Sequence, residues 1–307
     1  MPRPADGIEL RLGCGEYPLC VQELPDPPDV LYVRGDLAVL GSPSISIIGS
    51  RRATPYGIAL AEMAAKIAAQ SGIAVVSGGA IGCDQAAGRA ALGEGGRHVV
   101  VLGTGADVVY PRSARSMIER CLASGGAAVS LEPWGFEPRP WAFPKRNRVI
   151  AALSQALFVA EAGMPSGTFS TAEAAFELGR EVLAAPGSIL SPQSRGSNDL
   201  IANGACCIAD ADALETAIAR IYGLLRFDRP SAPGLPNLDA RAAAAVDALV
   251  ACPMRTEDLA RALRMEGLAC MQLLGSLEVQ GIAELLPDGR WSPSKTALLA
   301  HTPLGKT

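Results

Sequence analysis

The sequence predicts an α/β protein, in which a doubly wound and mostly parallel sheet is followed by a small C-terminal domain. From residue 44 onward, short apolar runs alternate with longer patterns of helical periodicity. Most of the apolar runs end in turns that are rich in glycine. Beyond residue 238 the alternation stops, and three helical patterns precede a short hairpin pattern. With 49% hydrophobic residues, the chain can bury a core large enough for such a sheet.

Six apolar runs predict the strands of the sheet. They are "SISIIG", "IAVVS", "HVVVLG", "AAVSLE", "ALFVAE" and "EVLAAP", beginning at residues 44, 73, 98, 127, 156 and 181. After the first strand, Thr54 is expected to cap a helix that has Pro55 at its first position and stops at Gly72. "DQAAGRAALGEG" is the next predicted helix. This alternation favours an extended Rossmann-like core with helices on both faces of the sheet.

The chain divides around this core, which we place at residues 44–224. Residues 1–43 are acidic and contain several prolines, and we expect a short N-terminal extension whose elements the pattern does not predict. "FDRPSAPGLPNLD" lacks periodicity, so residues 225–238 are interpreted as a linker. Residues 239–307 hold three helical patterns and then two short strands around a turn, an order typical of a winged-helix domain.

The charge distribution limits the partners that the protein can attract. Residues 1–41 hold three Lys or Arg against seven Asp or Glu, residues 42–220 hold fifteen of each, and residues 238–307 hold seven against eight. No domain is generally basic, so binding of a polyanion requires a local cluster of cations.

The cysteines and the apolar runs exclude other classes of protein. The eight cysteines form no C-x-x-C pair, and only two histidines could join them in a zinc site. We therefore expect no metal and reduced cysteines that pack as small hydrophobic residues. No apolar run reaches the length of a membrane span, and the first residues lack a signal-peptide pattern, so we expect a cytoplasmic protein.

Small residues follow the predicted strands at one edge of the sheet. Because ligands of doubly wound sheets bind beyond the carboxyl ends of the strands, these turns form the candidate site. Glycine permits close approach to the backbone and helix N-termini offer unpaired N–H groups, which together suit phosphate. The candidate residues in the turns are Gly49, Ser50, Arg51, Arg52, Ser77, Gly78, Gly79, Gly82, Ser166, Gly167 and Thr168. Neither the dinucleotide fingerprint nor the Walker A pattern is present, so these two ligand classes have no support.

The segment "FPKRNRVI" adds a cationic cluster at the same edge, at the start of a predicted helix. Its polar residues are Lys145, Arg146, Asn147 and Arg148. Positive charge there opposes the helix dipole, which argues for a use beyond solubility. The aromatic residues that flank the segment are Trp134, Phe136, Trp141 and Phe143. Cations beside aromatic residues are typical of surfaces that bind single-stranded nucleic acid. Two plainer interpretations remain open: a solvated charged helix turn, and aromatic residues that pack a long loop.

Three carboxylates near this edge could support acid–base catalysis: Asp84, Glu132 and Glu161. Their plainer roles are a helix cap for Asp84 and ion pairs with nearby arginines for the other two. No Ser/His/Asp or Cys/His set can be assembled, because His98 begins a predicted strand and His301 lies near the C-terminus. We therefore expect a protein that is not an enzyme and needs no cofactor.

Five motifs resemble the DprA/Smf DNA-processing family. They are "GSRRATPYG", "SGGAIGCDQAA", "VLGTGADVVYP", "FPKRNRVIAALS" and "EAGMPSGTFSTAEAAFELGREVLAAPGSILSPQSRGSNDLIANGA". The resemblance covers residues 44–215 almost continuously, in the order and spacing of the family. It implies a Rossmann-type core that many members extend with a winged-helix domain. It also implies that the chain binds single-stranded DNA, forms a homodimer, and loads RecA while countering single-strand-binding protein.

The resemblance also implies where the DNA binds, and it has exceptions. It places the Ser50-Arg51 turn and Lys145 in a positively charged pocket, together with the loops 77–79 and 166–168. Family members usually have Arg where this chain has Ile81, and often His where it has Gly88. Many also begin with a helical N-terminal domain, whereas only 43 residues precede the first predicted strand here. We expect these differences to change affinity more than the mode of binding.

Two functions from other classes remain as alternatives. One is a Rossmann-like nucleotide phosphoribohydrolase, because Pro165-Ser166-Gly167-Thr168 with Glu173 loosely matches the P-G-G-x-G-T-x-x-E loop of that group. The missing glycines and the cationic segment favour DNA. The other is a DNA-reading winged helix on a nucleotide-sensing core. Its recognition helix, "LACMQLLGSLEVQG", contains no Lys or Arg, so contact with a protein suits that domain better.

Overall fold

A computed structural model describes residues 3–223 and 238–301 of the chain. The strands are β1 (Gly7–Arg11), β2 (Val30–Gly35), β3 (Ser44–Ile48), β4 (Ala74–Ser77), β5 (His98–Leu102), β6 (Ala127–Ser130), β7 (Ala156–Val159), β8 (Glu181–Ala184), β9 (Cys206–Cys207), β10 (Ala283–Leu285) and β11 (Trp291–Pro293). The α-helices are α1 (Leu19–Gln22), α2 (Pro55–Gln70), α3 (Cys83–Gly93), α4 (Arg115–Ala123), α5 (Ala142–Ala152), α6 (Thr168–Glu177), α7 (Arg195–Ala202), α8 (Ala211–Tyr222), α9 (Ala240–Ala251), α10 (Thr256–Ala262), α11 (Gly267–Val279) and α12 (Lys295–His301). Short 3₁₀ turns occupy Leu37–Gly41, Arg112–Ala114 and Pro192–Ser194.

The central sheet has nine strands in the order β1-β2-β6-β5-β4-β3-β7-β8-β9. All neighbouring pairs from β6 to β9 are parallel, which confirms the mostly parallel, doubly wound sheet. The chain builds outward from β3 to β6 on one side and then returns to pair β7 with the other side of β3. The order of the strands therefore reverses between β3 and β7, which is where such sheets bind their ligands.

The described residues of the N-terminal extension join this sheet. Strand β1 pairs with β2, and β2 pairs with β6, both antiparallel. Side chains from this segment, among them Leu10, Leu31 and Val33, are buried in the same core as β6. The expected extension over residues 1–43 thus contributes the antiparallel edge of the sheet. Its strands were not predicted because each is a short run of mixed polarity between prolines and acidic residues.

The first βα unit shows why the sequence forms these elements. All residues of β3, including Ser44 and Ser46, are buried, as expected for a strand between two helical layers. Thr54 caps α2 as predicted, because its Oγ1 accepts a hydrogen bond of 3.3 Å from the Gly57 N–H. The buried face of α2 is largely alanine, which allows the helix to pack closely on the sheet.

The C-terminal residues contain the expected three helices, α9 to α11, followed by the hairpin of β10 and β11. Leu249, Leu259 and Leu274 belong to a separate hydrophobic core that these elements share. The assignment as a winged helix stays a prediction. An additional helix, α12, contacts α2 of the core, where Lys295 Nζ lies 3.0 Å from Glu62 Oε1. The expected linker at 225–238 lies outside the described residues except for its last position.

The remaining expectations concern cysteines, metals and membranes. All eight cysteines are free, but Cys14, Cys206 and Cys207 are exposed, so only part of the set packs as small hydrophobic residues. Within the described residues, no three His, Cys, Asp or Glu side chains form a group that could hold a metal ion. None of the described helices is both long enough and apolar enough to cross a membrane.

Candidate nucleic-acid interface

A cavity of about 500 Å³ lies at the point where the strand order reverses. The turn after β3 forms one wall, and the loop after β7 with the start of α6 forms another. Helix α5 supplies the floor. The predicted site residues that line the cavity are Gly49, Ser50, Arg51, Arg52, Arg146, Asn147, Ser166, Gly167 and Thr168. The structure therefore brings the turns after β3 and β7 together at the predicted edge of the sheet.

A buried carboxylate fixes the two turns to each other. Glu161, directly after β7, accepts hydrogen bonds from the Thr54 N–H at 2.8 Å and from Thr54 Oγ1 at 2.6 Å. Its own carbonyl accepts a bond of 2.7 Å from the Ser50 N–H. Burial raises the pKa of Glu161, and the bonds from Thr54 oppose that rise. Glu161 thus braces the start of α2, and among the described residues it forms no ion pair with an arginine.

The accessible positive charge of the cavity comes from the turn after β3. Arg51 and Arg52 are exposed, and no carboxylate among residues 3–223 and 238–298 pairs with either. The Arg51 guanidinium carbon lies 5.7 Å from the centre of the Phe143 ring, within the range of a cation–π contact. Arg51 is therefore positioned by an aromatic ring and keeps its hydrogen-bond donors available to a ligand.

The loop after β7 presents small polar groups to the same space. The Ser166 hydroxyl donates to Thr168 Oγ1 at 2.9 Å and accepts from the Thr168 N–H at 3.2 Å. Helix α6 begins at Thr168, so its positive dipole end faces the cavity. Exposed arginines opposite a helix N-terminus form a site that favours a phosphate group.

The turn after β4 differs from its expected role. Ser77, Gly78, Gly79 and Gly82 do not line the cavity. Ser77 is fully buried, and the Gly78 N–H donates to Asp84 Oδ2 at 3.0 Å. Gly82 has φ of 93°, and a Cβ there would overlap the carbonyl oxygen of Ser50. This turn therefore packs against the Ser50 turn, and position 82 requires glycine because the two backbones are in contact.

Arg146 also lies inside the protein, with only 4% of its surface exposed. Its Nη1 donates to the carbonyl oxygens of Gly78, at 2.8 Å, and Val101. Burial lowers the pKa of Arg146 to about 10, and the charge of Asp84 opposes that shift. A Cβ on Gly78 would meet both the guanidinium and the Asp84 carboxylate, so the two charged groups approach the same face of this glycine. Arg146, expected to help to grip phosphate, instead connects β4 and β5 beneath the cavity.

The other polar residues of "FPKRNRVI" point in different directions, since successive residues of a helix are about 100° apart. Lys145 Nζ lies 3.4 Å from Glu132 Oε1, and Arg148 Nη2 lies 3.7 Å from Asp26 Oδ2. Lys145 and Arg148 line a smaller cavity of about 150 Å³ beside the N-terminal segment. Only Asn147 faces the main cavity from the surface of the helix, donating to Ser170 Oγ at 3.0 Å. The segment is therefore not one continuous cationic surface.

The flanking aromatic residues divide into packing and exposed members. Trp134 is 7% exposed, donates to Glu9 Oε1 at 2.9 Å and packs edge-on against Tyr32. This confirms the plainer interpretation for Trp134. Trp141 is 56% exposed and contacts Phe136, whose ring centre lies 5.6 Å away. Phe143, beneath Arg51, contacts Tyr110, a residue that the sequence analysis did not select.

The buried titratable groups near the cavity form structural contacts. Burial raises the pKa of Asp84, and Arg146 opposes the rise. Glu132 forms an ion pair, but its partner is Lys145 and not the arginine that the plainer interpretation expected. Glu173, the acidic residue of the phosphoribohydrolase alternative, is exposed on α6 and does not line the cavity.

The two departures from the family pattern have structural consequences. Ile81 is 56% exposed beside Ala80, which lines the cavity, so an apolar side chain lies next to the site. Gly88 lies against His98 and Met117, and a Cβ there would approach His98 Cε1 to 2.8 Å and Met117 Sδ to 2.6 Å. A side chain at position 88 therefore has no room beside His98.

Comparison with known proteins connects this architecture to a family. The family model described as DNA recombination-mediator protein A matches residues 10–219, which is more than half of the chain. The chain belongs to this family. The match starts within β1, consistent with an N-terminal segment that is part of the sheet.

Several curated members are similar over much of the chain. DNA processing protein DprA of Streptococcus pneumoniae is 39% identical over 189 residues, covering 62% of this chain and 66% of that protein. Protein Smf of Escherichia coli is 37% identical over 198 residues, covering 64% and 53%. A putative DNA processing protein DprA of Mycobacterium tuberculosis is 37% identical over 284 residues, covering 91% and 69%. The matched region thus spans about half to two thirds of the length of these relatives.

Two solved structures share the fold. The X-ray structure of DNA processing protein A from Streptococcus pneumoniae superposes with a TM-score of 0.64 at 35% identity, covering 68% of this chain and 74% of that one. The protein of that name from Helicobacter pylori, described for its single-stranded DNA binding mode, gives 0.63 at 29% identity, covering 70% and 97%. These relatives confirm the Rossmann-like core and the DNA-processing family.

Proposed function

We propose that this chain binds single-stranded DNA in the cavity between β3 and β7 and acts as a mediator that loads RecA onto the bound strand. The observation that carries the proposal is the pairing of two exposed arginines, Arg51 and Arg52, with the N-terminus of α6 across one cavity. This arrangement suits the phosphates of a strand, and the related Helicobacter pylori protein is described as binding single-stranded DNA.

The electrostatics of the cavity support a polyanionic ligand. Its charged lining residues are Arg51, Arg52 and Arg146 against Asp84, and the chain elsewhere is neutral or acidic. Binding therefore depends on local cations, and each phosphate that they contact should steepen the salt dependence by about 0.7 log unit. RecA as the loaded protein, homodimer formation and action against single-strand-binding protein are parts of the same proposal. They rest on membership of the family.

The binding part is tested with a double variant, Arg51→Ala with Arg52→Ala, in fluorescence anisotropy titrations of labelled oligothymidine over a series of salt concentrations. We expect affinity to fall at least about tenfold at low salt and the salt slope to fall by about 1.4. The matched control is Arg97→Ala with Arg241→Ala. It removes the same charge from positions that do not line the cavity. Equal affinity of the double variant and the control would refute the site.

The RecA part needs its own measurement. On a strand coated with single-strand-binding protein, the wild-type chain should accelerate RecA-catalysed, DNA-dependent ATP hydrolysis, and the Arg51/Arg52 variant should not. A wild-type chain that binds the strand but leaves this rate unchanged would refute RecA loading and leave the DNA site standing.

A further inference from the structure

We propose that Tyr110 and Phe143 form a platform on which bases of the bound strand stack, next to the phosphate-binding cavity. Their ring centres lie 5.8 Å apart with planes tilted by 45°, so the two rings are not stacked face to face. The inference rests on the proposed binding of single-stranded DNA and states how the bases, as distinct from the phosphates, are held.

The platform continues directly from the cavity. Arg51 lines the cavity and also lies over the ring of Phe143, and Phe143 contacts Tyr110. A strand with a phosphate at Arg51 therefore has its neighbouring nucleotide beside two aromatic rings. Bases have π-faces irrespective of sequence, so stacking on this platform would hold a single strand without sequence preference.

The exposure of Tyr110 distinguishes it from a packing residue. It is 47% exposed, and within the described part of the chain its hydroxyl has no hydrogen-bond partner. Buried tyrosines of this protein bond their hydroxyls, as Tyr17 does with the Pro28 carbonyl at 2.7 Å. A single exposed aromatic residue is unremarkable on a protein surface. Here, however, the exposed ring adjoins a second ring that carries an arginine from a phosphate site.

The surroundings of Tyr110 favour nucleic acid over an apolar partner. Arg112 follows two residues later, is exposed and has no carboxylate partner among the described residues. Arg51 thus lies over the ring of Phe143, and Arg112 lies two residues from Tyr110 along the chain. Alternating cations and aromatic rings match the alternation of phosphate and base along a strand. Duplex DNA keeps its bases stacked on each other, so it gains nothing from the platform.

The test uses two labelled strands of equal length and charge, one of oligothymidine and one in which the thymines are replaced by abasic sites. We expect the wild-type chain to bind oligothymidine at least about fivefold more tightly. Tyr110→Ala should lose most of this preference and bind the abasic strand as the wild type does. Tyr110→Phe, which keeps the ring, should behave as the wild type.

Phe176→Ala is the matched control, because Phe176 is also exposed, at 40%, but lies near the C-terminal end of α6, away from the cavity. Equal binding of both strands by the wild type would refute the platform while leaving the phosphate site intact. A Tyr110→Ala chain that keeps the full preference, or that loses affinity for both strands alike, would also refute it. Failure of the wild type to bind either strand would refute the proposed function, and this inference with it.

Discussion

Replacing the buried guanidinium in Arg146→Met tests the assignment of this residue as a structural element beneath the cavity. Arg146 donates to the carbonyls of Gly78 and Val101 and balances the charge of Asp84. Methionine fills a similar volume without donating, so the variant removes these interactions and leaves little empty space.

The expected loss follows from what remains unpaired. Removing one member of a buried charge pair costs about 3–5 kcal/mol of unfolding free energy, because the remaining charge and the orphaned carbonyls stay buried. Asp84→Asn in the same chain removes that remaining charge, so we expect the double variant to recover at least ~1 kcal/mol relative to Arg146→Met.

The control is Arg148→Ala, two positions along the same helix. Arg148 forms only a 3.7 Å ion pair with Asp26, whose side chain is 86% exposed, so its loss should cost less than ~1 kcal/mol. Urea unfolding followed by far-ultraviolet circular dichroism gives the free energies, provided that the m-values of the variants agree. The reasoning would be refuted if Arg146→Met lost less than ~1 kcal/mol, or if Asp84→Asn made its loss larger.

Three further predictions concern the turns and the core. Gly82→Ala should lower the unfolding free energy by about 1–3 kcal/mol and weaken DNA binding, because φ is 93° and the added Cβ displaces the Ser50 turn. The control is Gly93→Ala, where a Cβ meets nothing within 4 Å. It should be neutral in the same urea and anisotropy measurements. Lys145→Ala should reduce the salt slope of binding less than Arg51→Ala, because Lys145 pairs with Glu132 outside the cavity; an equal reduction would place Lys145 on the strand. Burial lowers the pKa of His98 to about 4. Between about pH 6.5 and pH 4, His98 is therefore protonated in the unfolded chain but neutral in the folded chain. The folded chain thus loses stability as pH falls through that range. Between about pH 7 and pH 5, His98→Gln should lose about 2 kcal/mol less unfolding free energy than the wild type in urea titrations. Parallel pH profiles of the two proteins would show that His98 does not cause this loss of stability.

The location of the cavity was predictable from the sequence because it depends on local patterns. Gly49-Ser50-Arg51 follows a buried apolar strand, so it forms a turn at the carboxyl end of that strand, however the helices pack. Ser166-Gly167-Thr168 likewise lies after the carboxyl end of a buried strand. The reversal of strand order between β3 and β7 then brings these two turns together.

The direction of each side chain in "FPKRNRVI" was not predictable in the same way. A run of cationic residues does not determine which face of the helix each side chain occupies, nor how deeply the helix is buried. In the fold, Arg146 points inward to Gly78 while Lys145 and Arg148 meet Glu132 and Asp26. Those acidic partners are distant in sequence, so only the tertiary structure brings them close.

Tyr110 was missed because a single tyrosine after a glycine-rich turn has no periodic signal. The available signal was its position: "VLGTGADVVYP" follows β5 at the same edge of the sheet as the other candidate turns. Contact with Phe143 depends on the fold, since thirty-three positions separate the two residues.

The most direct test of the central claim is a titration of the wild-type chain with single-stranded and duplex DNA of equal length over a series of salt concentrations. We expect the single strand to bind more tightly at every concentration, with log affinity falling linearly with log salt at about 0.7 per phosphate contacted. Equal affinity for the duplex, or affinity for the single strand that does not depend on salt, would contradict a phosphate-binding cavity for single-stranded DNA between β3 and β7.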